Sequence, residues 1–250
     1  VSRIVERLRA KLVPMEVLVT GHDSVPVGYS PVGCIEVRFV APRPFAAGDV
    51  LAVRVGGGGG VVGATWRRYT VADTDGSTCR LVIERNGIGA AVALFDGLRS
   101  GDRLLVRGPE PAVLPPDGTG PIVVVSDLTG LATITAVVHR SREGGRRDRV
   151  EAAVVPDDPS GGPRAGGCLV PAVGGLLRDL PDDLTVLSGG VELDDWITQR
   201  CRAHPEGLRF LAVGGHDLTT AVRRAALAAG AGRGQLRTRT YWKPGRSGLE

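Results

Sequence analysis

In the strand-like run TWRRYTV, Thr65–Val71, three side chains are suited to chemistry: Arg67, Tyr69 and Thr70. Strand alternation puts Arg67 and Tyr69 on one face and Arg68 on the other, with the backbone and hydroxyl of Thr70 next door. A guanidinium forks onto phosphate, a phenol ring lies against a flat conjugated system, and a hydroxyl meets a ring edge. The set suits a flat, phosphorylated cofactor. Taken alone, it reads better as a surface strand with incidental arginines. The residues that follow change the balance. CRLVIER, ending at Arg85, runs into NGIGAAVALF, where a turn with Gly87, Gly89, Ala90 and Ala91 opens a helix. Free backbone N–H groups at such a turn are placed to receive a pyrophosphate. GIGAAV is not a dinucleotide fingerprint, because only about a dozen residues separate it from the next strand, too few for a crossover helix.

These residues need a frame. The first half holds short β-like runs at 34–40, 50–55, 65–71, 79–85 and 102–108, parted by Gly, Pro and Asp, and GGGGG at 56–60 forms a loop between two of them. Such spacing predicts an antiparallel sandwich or barrel. A Pro-rich segment, 108–121, punctuates the chain, and the domains divide there into 1–115 and 116–250. IVVVS at 122–126 is continuously apolar, as in a strand buried on both faces. Strands at 150–155, 184–188, 208–213 and 236–242 alternate with helical stretches at 130–140, 194–203 and 217–229. That alternation predicts a parallel sheet covered by helices. The segment 156–167 reads as a loop, and the first 13 residues as a short amphipathic helix.

Composition narrows the partners. With 42% hydrophobic and 23% charged residues in 250, the chain is an ordinary globular sequence. No apolar run approaches the roughly 18 residues of a membrane helix, and no signal peptide is visible, so a cytoplasmic address is expected. The cysteines (34, 79, 168, 201) and histidines (22, 139, 204, 216) lack ligand spacing, which predicts structural thiols and no metal. His216 and Asp217 are adjacent, but no serine completes a triad, and His139 reads as a surface cap. No catalytic side chain is assigned. Aromatics are 4% and no reading motif is present, which argues against nucleic acid. Between Leu218 and Leu249 there are seven cations and no acid. That segment carries a positive field suited to an anionic ligand, or else is a solvated tail.

In order along nearly the whole chain, the motifs resemble those of the siderophore-interacting proteins, FAD-dependent ferric-siderophore reductases with a ferredoxin-reductase-like fold. RRYTV looks like their flavin signature and GDRLLVRGP like the strand closing their barrel. VVVSDLTGLATI is similar to their Gly-Asp-Glu-Thr-Ala-Leu-Pro-Ala-Ile segment, GGHDLTTAVRRAAL to their Gly-Glu turn and Arg-Arg helix, and YWKPG to their C-terminal Tyr-Trp-Arg-x-Gly. The resemblance implies an N-terminal antiparallel flavin-binding β-barrel followed by a Rossmann-like parallel α/β domain. It implies FAD held by Arg67, Tyr69, Thr70, Arg85, Gly87, Gly89, Ala90 and Ala91, with Asp127 and Thr129 on the nicotinamide side. NAD(P)H is then the reductant. Trp242 would cover a cofactor face or the nicotinamide position. Arg237, Arg239, Lys243 and Arg246 would form a basic cleft for an anionic ferric chelate.

The departures from that pattern open a second reading. In the phosphate loop Arg85 stands at the His position, and Ala90, Val92 and Leu94 replace Pro, Ser and Trp. The lost Ser hydroxyl removes a hydrogen bond of roughly 0.5–1.5 kcal/mol, and a charge-assisted bond from Arg85 would restore about 1.5–3 kcal/mol. On the nicotinamide side Leu128, Gly130 and Ala132 replace Glu, Ala and Pro, and Gly215 replaces the later Glu. Hydride transfer requires close, ordered approach. The alternative is therefore a divergent homologue in natural-product biosynthesis, for example a cyclase, with the flavin pocket used without redox chemistry or given to a substrate.

Overall fold

Short β-branched runs parted by turn residues form the first half of the chain, and longer apolar runs alternating with helices form the second. The computed structural model describes residues 13–25, 33–57, 64–85, 89–143, 148–156, 180–181, 184–205 and 207–244. Gly87, Cys168 and Arg246, the expected N-terminal helix, most of the 56–60 loop and nearly all of 156–167 lie outside them. Contacts divide the chain into Val1–Ala112 and Val113–Glu250.

The first unit is a closed six-stranded barrel. Its strands are β1 (Met15–Val25), β2 (Cys34–Val40), β3 (Val50–Gly56), β4 (Thr65–Asp75), β5 (Thr78–Glu84) and β6 (Arg103–Glu110). They close in the order β1-β2-β5-β4-β3-β6, every pair antiparallel, which leaves no free edge. Helix α1 (Ala90–Gly97) lies between β5 and β6 in sequence. Its Phe95 packs into the core with Phe39, Leu51, Val53, Leu81 and Val106. Strand β1 is an addition to the strands read from sequence. Its second half, GHDS, carries turn-forming residues, and a bulge between Val19 and Gly21 breaks the alternation.

Glu36 explains why β2 does not alternate cleanly. It is only 6% exposed, yet it lies on the outer face with Arg38. Arg38 holds it at 2.9 Å and Arg80 at 3.5 Å. Arg38 also grips Asp23 at 2.6 Å, and Arg80 grips Asp73. Five side chains of alternating charge thus tie β1, β2, β5 and β4 from outside.

The second unit is a five-stranded parallel sheet in the order β11-β10-β7-β8-β9. Its strands are β7 (Ile122–Ser126), β8 (Val150–Val154), β9 (Thr185–Val186), β10 (Arg209–Gly215) and β11 (Leu236–Trp242). Helices α2 (Leu131–Glu143), α3 (Gly190–Ala203) and α4 (His216–Ala228) alternate with them. Every residue of β7 and β10 is buried, as continuous apolar runs in a doubly covered sheet require. On β11 the neighbouring residues Thr240 and Tyr241 bond Thr219 of α4 and Thr133 of α2, so these helices cover opposite faces. The strand order reverses between β7 and β10. In open α/β sheets, ligands bind outside the carboxyl ends of the strands at such a switch point.

Candidate functional site

The barrel unit gathers the first group of candidates. Arg67 is paired with Val53, and Tyr69 with Leu51. Directly opposed residues share a face, and both partners are core residues, so Arg67 and Tyr69 point to the interior side. Arg68 is opposite Ala52 on the outer side, where its guanidinium meets Glu110 at 3.4 Å. Thr70, paired with Val50, alternates with Tyr69 and shares the side of Arg68. The Tyr69 ring meets Phe95 edge-on, with centroids 5.1 Å apart. Burial pushes its phenol up, and the charge of Arg67 acts in the opposite sense. Arg67 donates to the Trp66 carbonyl at 3.1 Å and has no acidic partner among the described residues.

The start of α1 lies beside this pair. A Cβ placed on Gly56 would be 3.7 Å from the Ala90 Cβ and 3.9 Å from the Thr65 Cβ. The first turn of α1 therefore sits at the beginning of β4, two residues before Arg67. Gly89 caps the helix with extended backbone and no side-chain hydrogen bond, so the N–H groups of Ala90 and Ala91 receive no capping side chain from the N-cap position.

Arg85 goes elsewhere. Its guanidinium binds Asp96 at 2.9 Å, in the last turn of α1, and its own N–H donates to the Gly33 carbonyl. An acid in the last turn opposes the helix dipole, and the arginine offsets it. None of the candidate cofactor- or substrate-binding residues lines the ≈ 530 Å³ cleft at that end of α1, which His22 and Asp96 border. Its polar groups largely answer one another: Arg38 holds Asp23 and Glu36, Asp96 holds Arg85, and Ser100 donates to the Thr20 carbonyl.

The second unit builds its own constellation at the switch point. Asp127 follows β7 and is 1% exposed. One carboxylate oxygen accepts from the Thr129 N–H at 2.9 Å and from the Thr129 hydroxyl. The other accepts from the Gly215 N–H at 2.6 Å and from the Trp242 indole N–H at 2.9 Å. One side chain thus joins the carboxyl ends of β7, β10 and β11. Two consecutive glycines make the room. Gly214 has φ +122°, and a Cβ there would lie 2.5 Å from the Asp127 carboxylate. A Cβ on Gly215 would lie 2.7 Å from the Trp242 ring. The exchange of Glu for Gly at 215 therefore makes room for the Trp242 ring in this position. Neither glycine was singled out as a site residue, though this trade of small for large was visible as a departure from the pattern.

The cations of the edge strand β11 divide by role. Arg237 and Arg239 are exposed on one face, and Arg237 donates to the Leu114 carbonyl at 2.8 Å. Lys243 is exposed just after the strand. Elsewhere, Cys34, Cys79 and Cys201 are buried and free. Burial raises the Cys34 thiol to about 12, with Glu84 adding to the shift. His139 faces Glu143 at 3.0 Å along α2. Among the described residues no group of His, Cys, Asp and Glu is arranged to hold a metal ion, and no helix is long and apolar enough to cross a membrane.

No family model and no curated protein matches the chain. Solved structures do. The siderophore-interacting protein SipS from Aeromonas hydrophila aligns over 94% of this chain and 93% of its own, at 17% identity and TM-score 0.65. The siderophore-interacting protein from Acinetobacter baumannii aligns over the same shares at 14% identity and TM-score 0.66. A flavohemoglobin from Malassezia yamatoensis, solved with bound FAD and heme, aligns over 94% of this chain and 63% of its own, at 14% identity and TM-score 0.69. Likeness at such identity speaks for the fold: an antiparallel barrel followed by a parallel α/β unit. Two of the three carry the name of the family whose motifs the sequence resembles.

Proposed function

We propose that the chain is a flavin-dependent oxidoreductase that holds FAD in its barrel unit, takes reducing equivalents from NAD(P)H and delivers them to a ferric chelate. The observation that carries this reading is the state of Arg67. It is a half-buried cation without an acidic partner among the described residues, beside Tyr69 and close to a helix start whose N-cap, Gly89, supplies no side chain. Together they form a cradle suited to a phosphorylated, flat ligand, and so the residues fit FAD. FAD would supply acceptance of a hydride and its release as single electrons.

The chain's residues then have separable tasks. Arg67 binds phosphate through charge-assisted bonds, and the first-turn N–H groups of α1 add partial positive charge. Phe95 fixes the plane of Tyr69, so the ring meets a ligand without reorganising. Thr70, whose side chain shares the side of Arg68, offers a ring edge its backbone rather than its hydroxyl. Asp127 and Thr129 shape the nicotinamide side. Arg239 and Lys243, with Arg237 and Arg246, attract an anionic chelate, which needs no iron ligand from the protein. The domain roles follow: flavin in the first unit, nicotinamide nucleotide in the second.

The packing of Trp242 on Gly215 favours a second reading. It fills a position where the resembled pattern carries a carboxylate, which suits a pocket turned to a different organic substrate in a biosynthetic reaction. The visible spectrum of freshly purified protein under anaerobic conditions tests both. A flavin band bleached by NADH or NADPH and restored by a soluble ferric complex supports the reductase. A band that stays until dithionite is added supports the alternative, and no band in protein supplied with FAD sinks the flavin reading.

A further inference from the structure

At the switch point of the second unit, three adjacent strands end on one carboxylate. Asp127 accepts two bonds from Thr129, one from the Gly215 backbone and one from the Trp242 indole. A carboxylate this deeply buried is costly to leave short of donors, because the charge has no water to fall back on. The Trp242 ring is also seated sterically, since it lies where any side chain at 215 would be. Charge, hydrogen bonding and shape all hold the indole in one place. Yet Trp242 is not buried, and part of its surface remains accessible at the end of the sheet.

We infer that Trp242 is a fixed wall of the ligand crevice in this unit, anchored by Asp127, rather than a side chain that swings aside to admit a ligand. Asp127 is then a positioning residue whose oxygens serve the protein. Recognition at this wall comes from stacking of a planar heteroaromatic ring on the indole. Position 215 contributes no side chain and no charge. The crevice accordingly discriminates by ring shape and stacking. The class of ligand, a nucleotide with a planar base or nicotinamide ring, rests on the oxidoreductase reading above. The anchor does not rest on it.

The test follows the Trp242 indole N–H by two-dimensional ¹H–¹⁵N NMR, with its signal assigned by its loss in Trp242→Phe. In the ligand-free protein this N–H should exchange slowly with water, and Asp127→Asn should speed exchange at least about tenfold, as loss of a charge-assisted bond predicts. Should Asp127→Asn fail to fold, Gly215→Ala serves, because its methyl displaces the ring and should speed the same exchange. With saturating NADH or NADPH, the signal should shift through ring currents while its protection stays or rises. Faster exchange on saturation would make Trp242 a gate and overturn the proposal. Free-peptide exchange in the ligand-free protein, or no change in Asp127→Asn, would overturn the anchor. Probe affinity adds an independent check. Trp242→Phe keeps a ring but loses the tether and should bind the probe at least about threefold more weakly. Adding Asp127→Asn to it should cost little more, and an equal further loss would count against positioning through Trp242. If neither nucleotide binds, the nicotinamide part of the oxidoreductase reading fails, and the ligand-free exchange still decides the anchor.

Discussion

Arg85 and Asp96 form an ion pair at 2.9 Å that binds the end of the β5 run to the last turn of α1. The pair holds the guanidinium at the opposite end of the helix from Ala90, where a phosphate would gain most from the helix dipole. Both side chains are partly exposed, so the bond contributes about 0.2–1 kcal/mol. Arg85→Ala should therefore lower stability slightly and leave flavin content per protein close to that of the unaltered chain. A loss of flavin matching that of Arg67→Ala would show that Arg85 leaves Asp96 for the cofactor.

Arg67 and Arg68 provide the sharper contrast, because they are adjacent and face opposite ways. Arg67→Ala removes charge-assisted bonds of roughly 1.5–3 kcal/mol, which corresponds to a loss of about 10–150-fold in FAD affinity. Arg68→Ala removes only an outer contact with Glu110 and should change affinity little. Titration of flavin fluorescence measures both. Equal retention by the two variants would refute the assignment of Arg67.

Much of this was legible beforehand because the signals are local. β2, β7 and β11 begin and end where the strand-like runs of the sequence do, at Cys34–Val40, Ile122–Ser126 and Leu236–Trp242. The faces of Arg67 and Arg68 follow from period-two alternation alone. What escaped depends on distant partners. β1 runs through polar residues that pair across the barrel, and no local pattern announces that Arg38 will lie over Gly21. Arg85 looked like a phosphate ligand because its partner, Asp96, is a helical turn or more beyond the loop. Asp127 looked like a ligand contact because Gly215 and Trp242, which claim it, lie some 90 and 115 residues away.

Alkaline pH offers a test of the core. Cys34 is raised to about 12 by burial, assisted by Glu84, and Cys79 to about 11 by burial with Asp49 and Asp73. Folding thus favours the protonated thiols. Their contribution is complete below the unfolded value of 9.0 and is lost progressively as pH rises from there through 11 to 12. Urea midpoints should fall steadily above roughly pH 9, and Cys34→Ala with Cys79→Ala should flatten that fall. At neutral pH the native thiols should react slowly with Ellman's reagent. Rapid labelling of Cys34 in the folded protein would contradict its burial.

The cations on and after β11 are a test of steering. Arg239 and Lys243 are exposed, so their charges act mainly on association rates and are screened by salt. Arg239→Glu with Lys243→Glu should slow capture of an anionic ferric chelate roughly tenfold at low ionic strength and hardly at all near ~0.5 M salt. Stopped-flow association at several salt concentrations reads this directly. A rate unchanged at low salt means that the segment is merely solvated.

The packing of β7 against β10 yields the most specific test, because it concerns a pair exchanged relative to the resembled pattern. Ser126 and Gly130 stand where that pattern has Gly and Ala. A Cβ on Gly130 would lie 2.5 Å from the Ser126 Cβ and 2.7 Å from a Val213 methyl. Bulk has passed from one side of the contact to the other. Gly130→Ala alone should overpack the site and cost about 1–3 kcal/mol. Ser126→Gly alone leaves a gap and adds backbone freedom in a buried strand, at about 1 kcal/mol. The double variant should recover part of the Gly130→Ala cost, because removing the Ser126 side chain relieves the closer clash while Val213 must still shift. Chemical denaturation of the four proteins measures the coupling as a double-mutant cycle. Strictly additive costs would mean that the two positions do not share the space the structure gives them. The Ser126 hydroxyl donates to the Asp127 backbone carbonyl at 2.8 Å, but the carboxylate is held by Thr129, Gly215 and Trp242, so the same variants should leave the Trp242 indole signal in place.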